Sequence, residues 1–189
     1  MDKYKLAFDD QIDKYKHVFE FQELVRYDHK VTLIHVSQHN INELLQKYAS
    51  EGATEVYIHG EEVDEVIIPE GVKIFSCCNM GIKRLIVSDS VEYLYADRNR
   101  LKYIDLPENI QIVSLRHNFL THITFRSDPK KLLSLDLYDN YLRELMFDPP
   151  KSLGCLKITG NEHLQSCNMH PTINKRILED DEFLDDSPF

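Results

Sequence analysis

Val91-Glu92-Tyr93-Leu94-Tyr95-Ala96-Asp97-Arg98-Asn99-Arg100-Leu101 is the stretch on which the fold turns, because its apolar and Asn positions return along the chain. Nineteen residues later Ile110, Val113, Leu115, Asn118 and Leu120 occupy the slots of Val91, Leu94, Ala96, Asn99 and Leu101. Twenty-two residues further come Leu132, Leu135, Leu137, Asn140 and Leu142. After another 21, Leu153, Leu156, Ile158 and Asn161 follow, with the last apolar slot displaced by one to Leu164. Towards the N-terminus the apolar skeleton persists without Asn, as Val72, Phe75, Cys77, Met80 and Ile82, then Ala53, Val56, Ile58, Glu61 and Val63, then Val31, Ile34, Val36, His39 and Ile41. A period near 20 residues marks a repeat architecture, in which each unit is too small to bury its own apolar face and is stable only when stacked.

Within each unit, alternation around the central pair of apolar slots sends two side chains to one face of a short strand and their neighbours to the other. Stacking at about 4.8 Å per strand then builds one parallel sheet over a shared core. The Asn slot falls where the chain leaves the strand, and an inward amide there can satisfy backbone groups that the turn leaves unpaired. Units of 19 to 22 residues leave room on the outer side for extended or 3₁₀ segments, not full helices. The first unit is the exception: Ile41, Leu44, Leu45 and Tyr48 share one helical face, Asn40 can cap it and Gly52 can close it.

The skeleton LxxLxLxxNxL over about Val31 to Cys167 resembles the leucine-rich repeat. Linking segments such as Ile68-Pro69-Glu70-Gly71-Val72 and Leu106-Pro107-Glu108-Asn109-Ile110 look like the short-repeat classes of bacterial and viral proteins. The resemblance implies a mainly β solenoid, an arc with a parallel concave sheet, short convex segments, one helix near the N-terminal end and a short C-terminal cap. Three regions are expected: an N-terminal cap over 1–30, about seven units over 31–170, and a C-terminal cap with an acidic tail over 171–189. Alternation at Tyr4, Leu6 and Phe8 favours strands in the first cap, and Ile173, Ile177 and Leu178 a short helix in the second.

The 189 residues suit one domain; 42% hydrophobic and 29% charged side chains imply a packed core. A net charge of -10 with no compact Lys/Arg run argues against nucleic acid as the main partner. No apolar run is long enough to span a bilayer, which argues against a membrane. The mixed start of the chain does not resemble a signal peptide, and four cysteines without an evident pairing framework suggest reduced thiols in a cytosol. If the chain is viral or an effector, that cytosol is a host's.

The residues between buried strand positions should form the concave face. They include Leu33, His35 and Ser37 in the first unit and Cys78 in the third, and they become rich in Tyr and charge in the middle. Tyr57, Tyr93, Tyr95 and Tyr138, beside Asp97, Arg98, Arg116 and Asp136, make the candidate protein-binding surface, since Tyr and Arg are enriched at binding hot spots. The competing reading is that strand-borne Tyr reflects β propensity and that Asp and Arg pair across strands. No catalytic residue, cofactor or metal is assigned. Cys155, His163, Cys167 and His170 are ligand types grouped late in the chain, but their spacing matches no familiar zinc pattern. His35 and His59 could approach one another without a nucleophile or phosphate loop nearby, and Cys78 is the thiol expected to face outward.

The expected function is therefore a non-enzymatic, monomeric leucine-rich repeat module that acts as adaptor or inhibitor of a protein, held on its concave face. The alternatives are a substrate-recognition subunit for a separate enzyme such as a ubiquitin ligase, and a structural, self-associating component.

Overall fold

A computed structural model describes residues 22–27, 29–165 and 168–173. The expected strands in 1–21 and the acidic tail lie outside those residues, as does the expected capping helix beyond Ile173. The described chain is a parallel-sheet β solenoid, consistent with the expected leucine-rich repeat arc. Strands β1 (Gln22–Tyr27), β2 (Lys30–Val36), β3 (Glu55–Gly60), β5 (Ile74–Ser76), β7 (Tyr93–Tyr95), β9 (Ile112–Ser114), β11 (Ser134–Asp136) and β12 (Cys155–Lys157) form one eight-stranded sheet in that order. β1 joins antiparallel, and every later neighbour is parallel.

On the opposite side run β4 (Glu65–Ile67), β6 (Arg84–Ile86), β8 (Tyr103–Leu106) and β10 (His122–Phe125), paired as β4–β6 and β8–β10. These are the extended convex segments that the short units dictate. Helix α1 (Ile41–Ser50) buries Ile41, Leu44, Leu45 and Tyr48, the face anticipated from the spacing. It ends in a Schellman motif, with Gly52 at φ 89 and the Ala53 N–H donated to the Tyr48 carbonyl at 2.9 Å. Asn40 occupies the N-cap position but does not cap the helix through its side chain as expected; its side-chain oxygen accepts from the Ser37 N–H at 2.9 Å instead.

Register is set by the apolar slots. Phe75 pairs with Leu94, Leu94 with Val113, Val113 with Leu135 and Leu135 with Leu156. The first four of these side chains are at most 1% exposed, whereas Leu156, on the last strand of the sheet, is partly buried. The Asn ladder stitches the units together. Asn118 donates to the carbonyls of Ala96 in the preceding unit and Leu115 in its own, while its oxygen accepts the Leu101 N–H at 3.1 Å. Asn99, Asn140 and Asn161 repeat this two-unit pattern.

The first unit is out of the expected register. Val31 pairs with Val56 and Leu33 with Ile58, so the two central core slots fall on Val31 and Leu33, and Leu33 is fully buried instead of lining the concave face. An irregularity between Leu33 and Val36 returns Val36 to the core. A local bulge breaks the period of two, and a run as apolar as Val31 to Val36 does not show where the break falls.

Candidate functional site

The parallel register converts the outward strand positions into rows. One row runs Glu55, Ile74, Tyr93, Ile112 and Ser134; the next runs Tyr57, Ser76, Tyr95, Ser114 and Asp136. Ile74, Tyr93 and Ile112 are half-buried, as are Tyr57 and Tyr95. Serines between the tyrosines leave gaps beside each ring, so the centre of the face is an uncharged platform of Tyr and Ile on a rigid backbone. The Tyr93 hydroxyl is tied to Gln111 Oε1 at 3.3 Å, and Gln111 Nε2 donates to Glu92 at 2.8 Å. Lys30 Nζ sits 4.5 Å from the centroid of the Tyr57 ring. Burial raises the Tyr57 phenol above its ordinary pKa, with the Glu55 carboxylate adding to the effect. The Tyr95 phenol is raised by burial too, with Tyr57 and Tyr93 contributing. Both hydroxyls therefore stay protonated as donors.

Two of the charged candidates, Arg116 and Asp136, are engaged with each other. Asp136 is 5% exposed; its Oδ2 accepts from Arg116 Nε at 2.7 Å and lies 2.6 Å from Arg116 Nη2, while Oδ1 accepts the Tyr138 N–H at 3.1 Å. Asp97 accepts from the Ser114 hydroxyl at 2.7 Å and the Arg116 N–H at 2.8 Å. Asp136 is thus neutralised by Arg116, whereas Asp97 is held by neutral donors and keeps its charge on the half-buried face. Tyr138 is 42% exposed at the end of the next row and meets His117 edge-on at 5.4 Å. Tyr57, Tyr93, Tyr95, Asp97, Arg116, Asp136 and Tyr138 thus lie on one face.

Arg98 does not share it. It has φ 56 and belongs to a row of turn residues, Asn79, Arg98, His117 and Asp139, all with positive φ, that precede the Asn slot in successive units. Gly160 continues the row at φ 80. The left-handed turn rotates these side chains out to the rim beside the sheet, a placement that strand alternation does not reveal. Only the Gly at 160 and the Asn and Asp at 79 and 139 are residue types that hint at such a turn.

Leu33 does not extend the face as expected, because it is in the core; the side chain of His35 lies outside the described residues. The register puts Lys30 beside Glu55 and Thr32 beside Tyr57. Cys78 is half-buried near Asp97 and Ser76, and burial raises its thiol above the usual value, so it is not an activated nucleophile. Cys77 is fully buried and raised further, chiefly by desolvation. Of the late ligand types, His163 is exposed, His170 Nδ1 faces Thr172 N at 3.3 Å, and Cys167 lies outside the described residues. No group of three or more His, Cys, Asp or Glu among the described residues is arranged to hold a metal ion.

Over 66 aligned residues the chain is 35% identical to human leucine-rich repeat-containing protein 49, a match covering 31% of this chain and 10% of that protein. The protein is leucine-rich-repeat-like. That shared stretch is about a tenth of the length of the curated relative. No family model and no solved structure matches. The sheet provides a continuous surface about 29 Å across seven parallel strands. No helix among the described residues is long and apolar enough to cross a membrane.

Proposed function

We propose that the concave sheet docks another protein and that the chain works by binding, not catalysis, as a monomeric adaptor or inhibitor. One observation supports this most directly: Tyr57, Tyr93 and Tyr95 with Ile74 and Ile112 form an uncharged platform bordered by the Arg116–Asp136 pair. Large rings fixed on a sheet lose little entropy on binding, and a neutral centre ringed by satisfied polar groups has the anatomy of an interface core. A cytosolic setting is part of the proposal and fits Cys77, Cys78 and Cys155, which are free thiols. Short units with extended convex segments support a microbial or viral origin, in which case the partner is a host protein.

The test is affinity capture from cell extract with wild type beside a Tyr57→Ala, Tyr93→Ala, Tyr95→Ala variant of unchanged circular dichroism. Proteins held by wild type should be lost from the variant, since each buried ring removed from an interface costs on the order of 2 kcal/mol. Identical capture by both would exclude the concave face.

A further inference from the structure

Beside the concave sheet, the flank on which the chain descends from the Asn ladder to the convex strands carries a second chemistry. Phe119 and Tyr141 occupy the same position in successive units and stack with centroids 5.8 Å apart and planes 17° from parallel. They are 45% and 49% exposed, so none of the described residues covers them. Next to Phe119 opens a groove of about 470 Å³ lined by Arg98, His117, Gly81, Asn79 and the Glu62–Arg100 pair. Gly81 leaves room for the Glu62 side chain, whose Cγ would lie 3.1 Å from a Cβ there, and Glu62 paired with Arg100 forms that wall.

Two arginines distinguish this flank. The chain has 32 acidic side chains against 22 basic ones. Accordingly Arg84, Arg100, Arg116 and Arg126 each pair with a carboxylate. Arg98 and Arg143 are the two described arginine side chains that do not, and Lys102 is likewise without a carboxylate. All three are exposed and lie in the units of Phe119 and Tyr141 or the one before, so unpaired cations border the stacked rings.

We propose that this flank is a second docking site, for an acidic peptide segment bearing an aromatic or branched apolar side chain. The apolar side chain packs on Phe119 and Tyr141 while carboxylates take the planar fork of Arg98 and the charge of Arg143 or Lys102. A continuous polyanion fits less well, because Glu62, Asp139 and Glu144 share the flank and the whole chain repels phosphate. A short segment meets only the local cations, since charges beyond about 10 Å are screened at physiological salt.

Random twelve-residue peptides displayed on phage, selected on wild type, provide the test. Enriched peptides should combine Asp or Glu with Phe, Tyr or Leu. Synthesised and fluorescently labelled, they should bind at least about tenfold more weakly to Arg98→Gln/Arg143→Gln and to Phe119→Ser, and be unaffected by Tyr95→Ala on the sheet. Raising salt from 50 to 300 mM should weaken binding several-fold. A labelled twelve-nucleotide oligothymidylate serves as the polyanion. Absence of acidic enrichment, equal binding to wild type and to both flank variants, or oligothymidylate binding as tight as the peptides would each overturn the proposal. Loss of binding in Tyr95→Ala alone would return the peptides to the concave face.

Discussion

Replacing Asn118 by Ala removes four hydrogen bonds, the longest of them 3.3 Å to the Arg116 carbonyl, whose partners can be followed one by one. The carbonyl of Ala96 also accepts from Asn99 Nδ2 at 3.0 Å, and that of Leu115 from Asn140 Nδ2 at 2.9 Å, so each keeps one donor. The Leu101 N–H has Asn118 Oδ1 as its acceptor and is left orphaned in the core. An orphaned buried donor costs about 1–3 kcal/mol and each shared bond lost about 1 kcal/mol, which together give a loss of about 3–5 kcal/mol. Asn118→Asp retains the acceptor but turns a carboxylate towards two carbonyl oxygens, and should cost at least as much. Asn161→Ala should cost less, because Asn161 is 8% exposed and belongs to the last unit, where Leu156 and Ile158 are only partly buried. Urea unfolding followed by far-ultraviolet circular dichroism reads all three. If Asn118→Ala and Asn118→Asp both stay within about 1 kcal/mol of wild type, the ladder is not what ties one unit to the next.

Other consequences can be measured in the same way. Leu94→Ala deletes a fully buried side chain in the middle of the column and should lower stability by about 2–5 kcal/mol in urea titration. Gly60→Ala would place a Cβ 2.5 Å from the Val36 carbonyl oxygen, so the first units must separate or bulge further; a thermal midpoint unchanged from wild type would contradict that contact. Cys77, Cys78, Tyr57 and Tyr95 all hold their protons more tightly folded than unfolded, so the unfolded chain releases them first as pH rises. Their contribution is complete below the ordinary thiol pKa and is lost above it; stability should fall from about pH 9 upward, and a flat urea midpoint between pH 7 and 10 would refute this. Cys78 should react with iodoacetamide at pH 8 more slowly than a free thiol, and reaction at the free-thiol rate would show that its burial is overstated.

The repeat was legible because its slots are chemically distinct. Asn99, Asn118, Asn140 and Asn161 fix the frame, and the apolar residues before them alternate cleanly, so register from Phe75 to Leu156 follows from spacing alone. Where the slots lose that distinction the reading fails. The run from Val31 to Val36 offers too many apolar residues for alternation to choose among, and a bulge moved the frame. The left-handed residue before each Asn accepts Asn, Arg, His, Asp or Gly, so composition does not mark the turn that carries Arg98 to the rim. Pairing across the face also escapes a single-unit reading. Asp136 looks like an open charge in its own unit, and it is the Arg116 of the unit before that closes over it.

Nuclear Overhauser contacts between methyl groups in a sample labelled at Leu and Val would test the stacked frame most directly. The architecture requires contacts from Leu94 to Val113, from Val113 to Leu135 and from Leu135 to Leu156, with Leu33 joined to Ile58 once Ile is labelled as well. Methyl contacts that skip this sequence, or that place Leu94 and Leu135 on different sides of the molecule, would dismantle both the solenoid and the surfaces inferred from it.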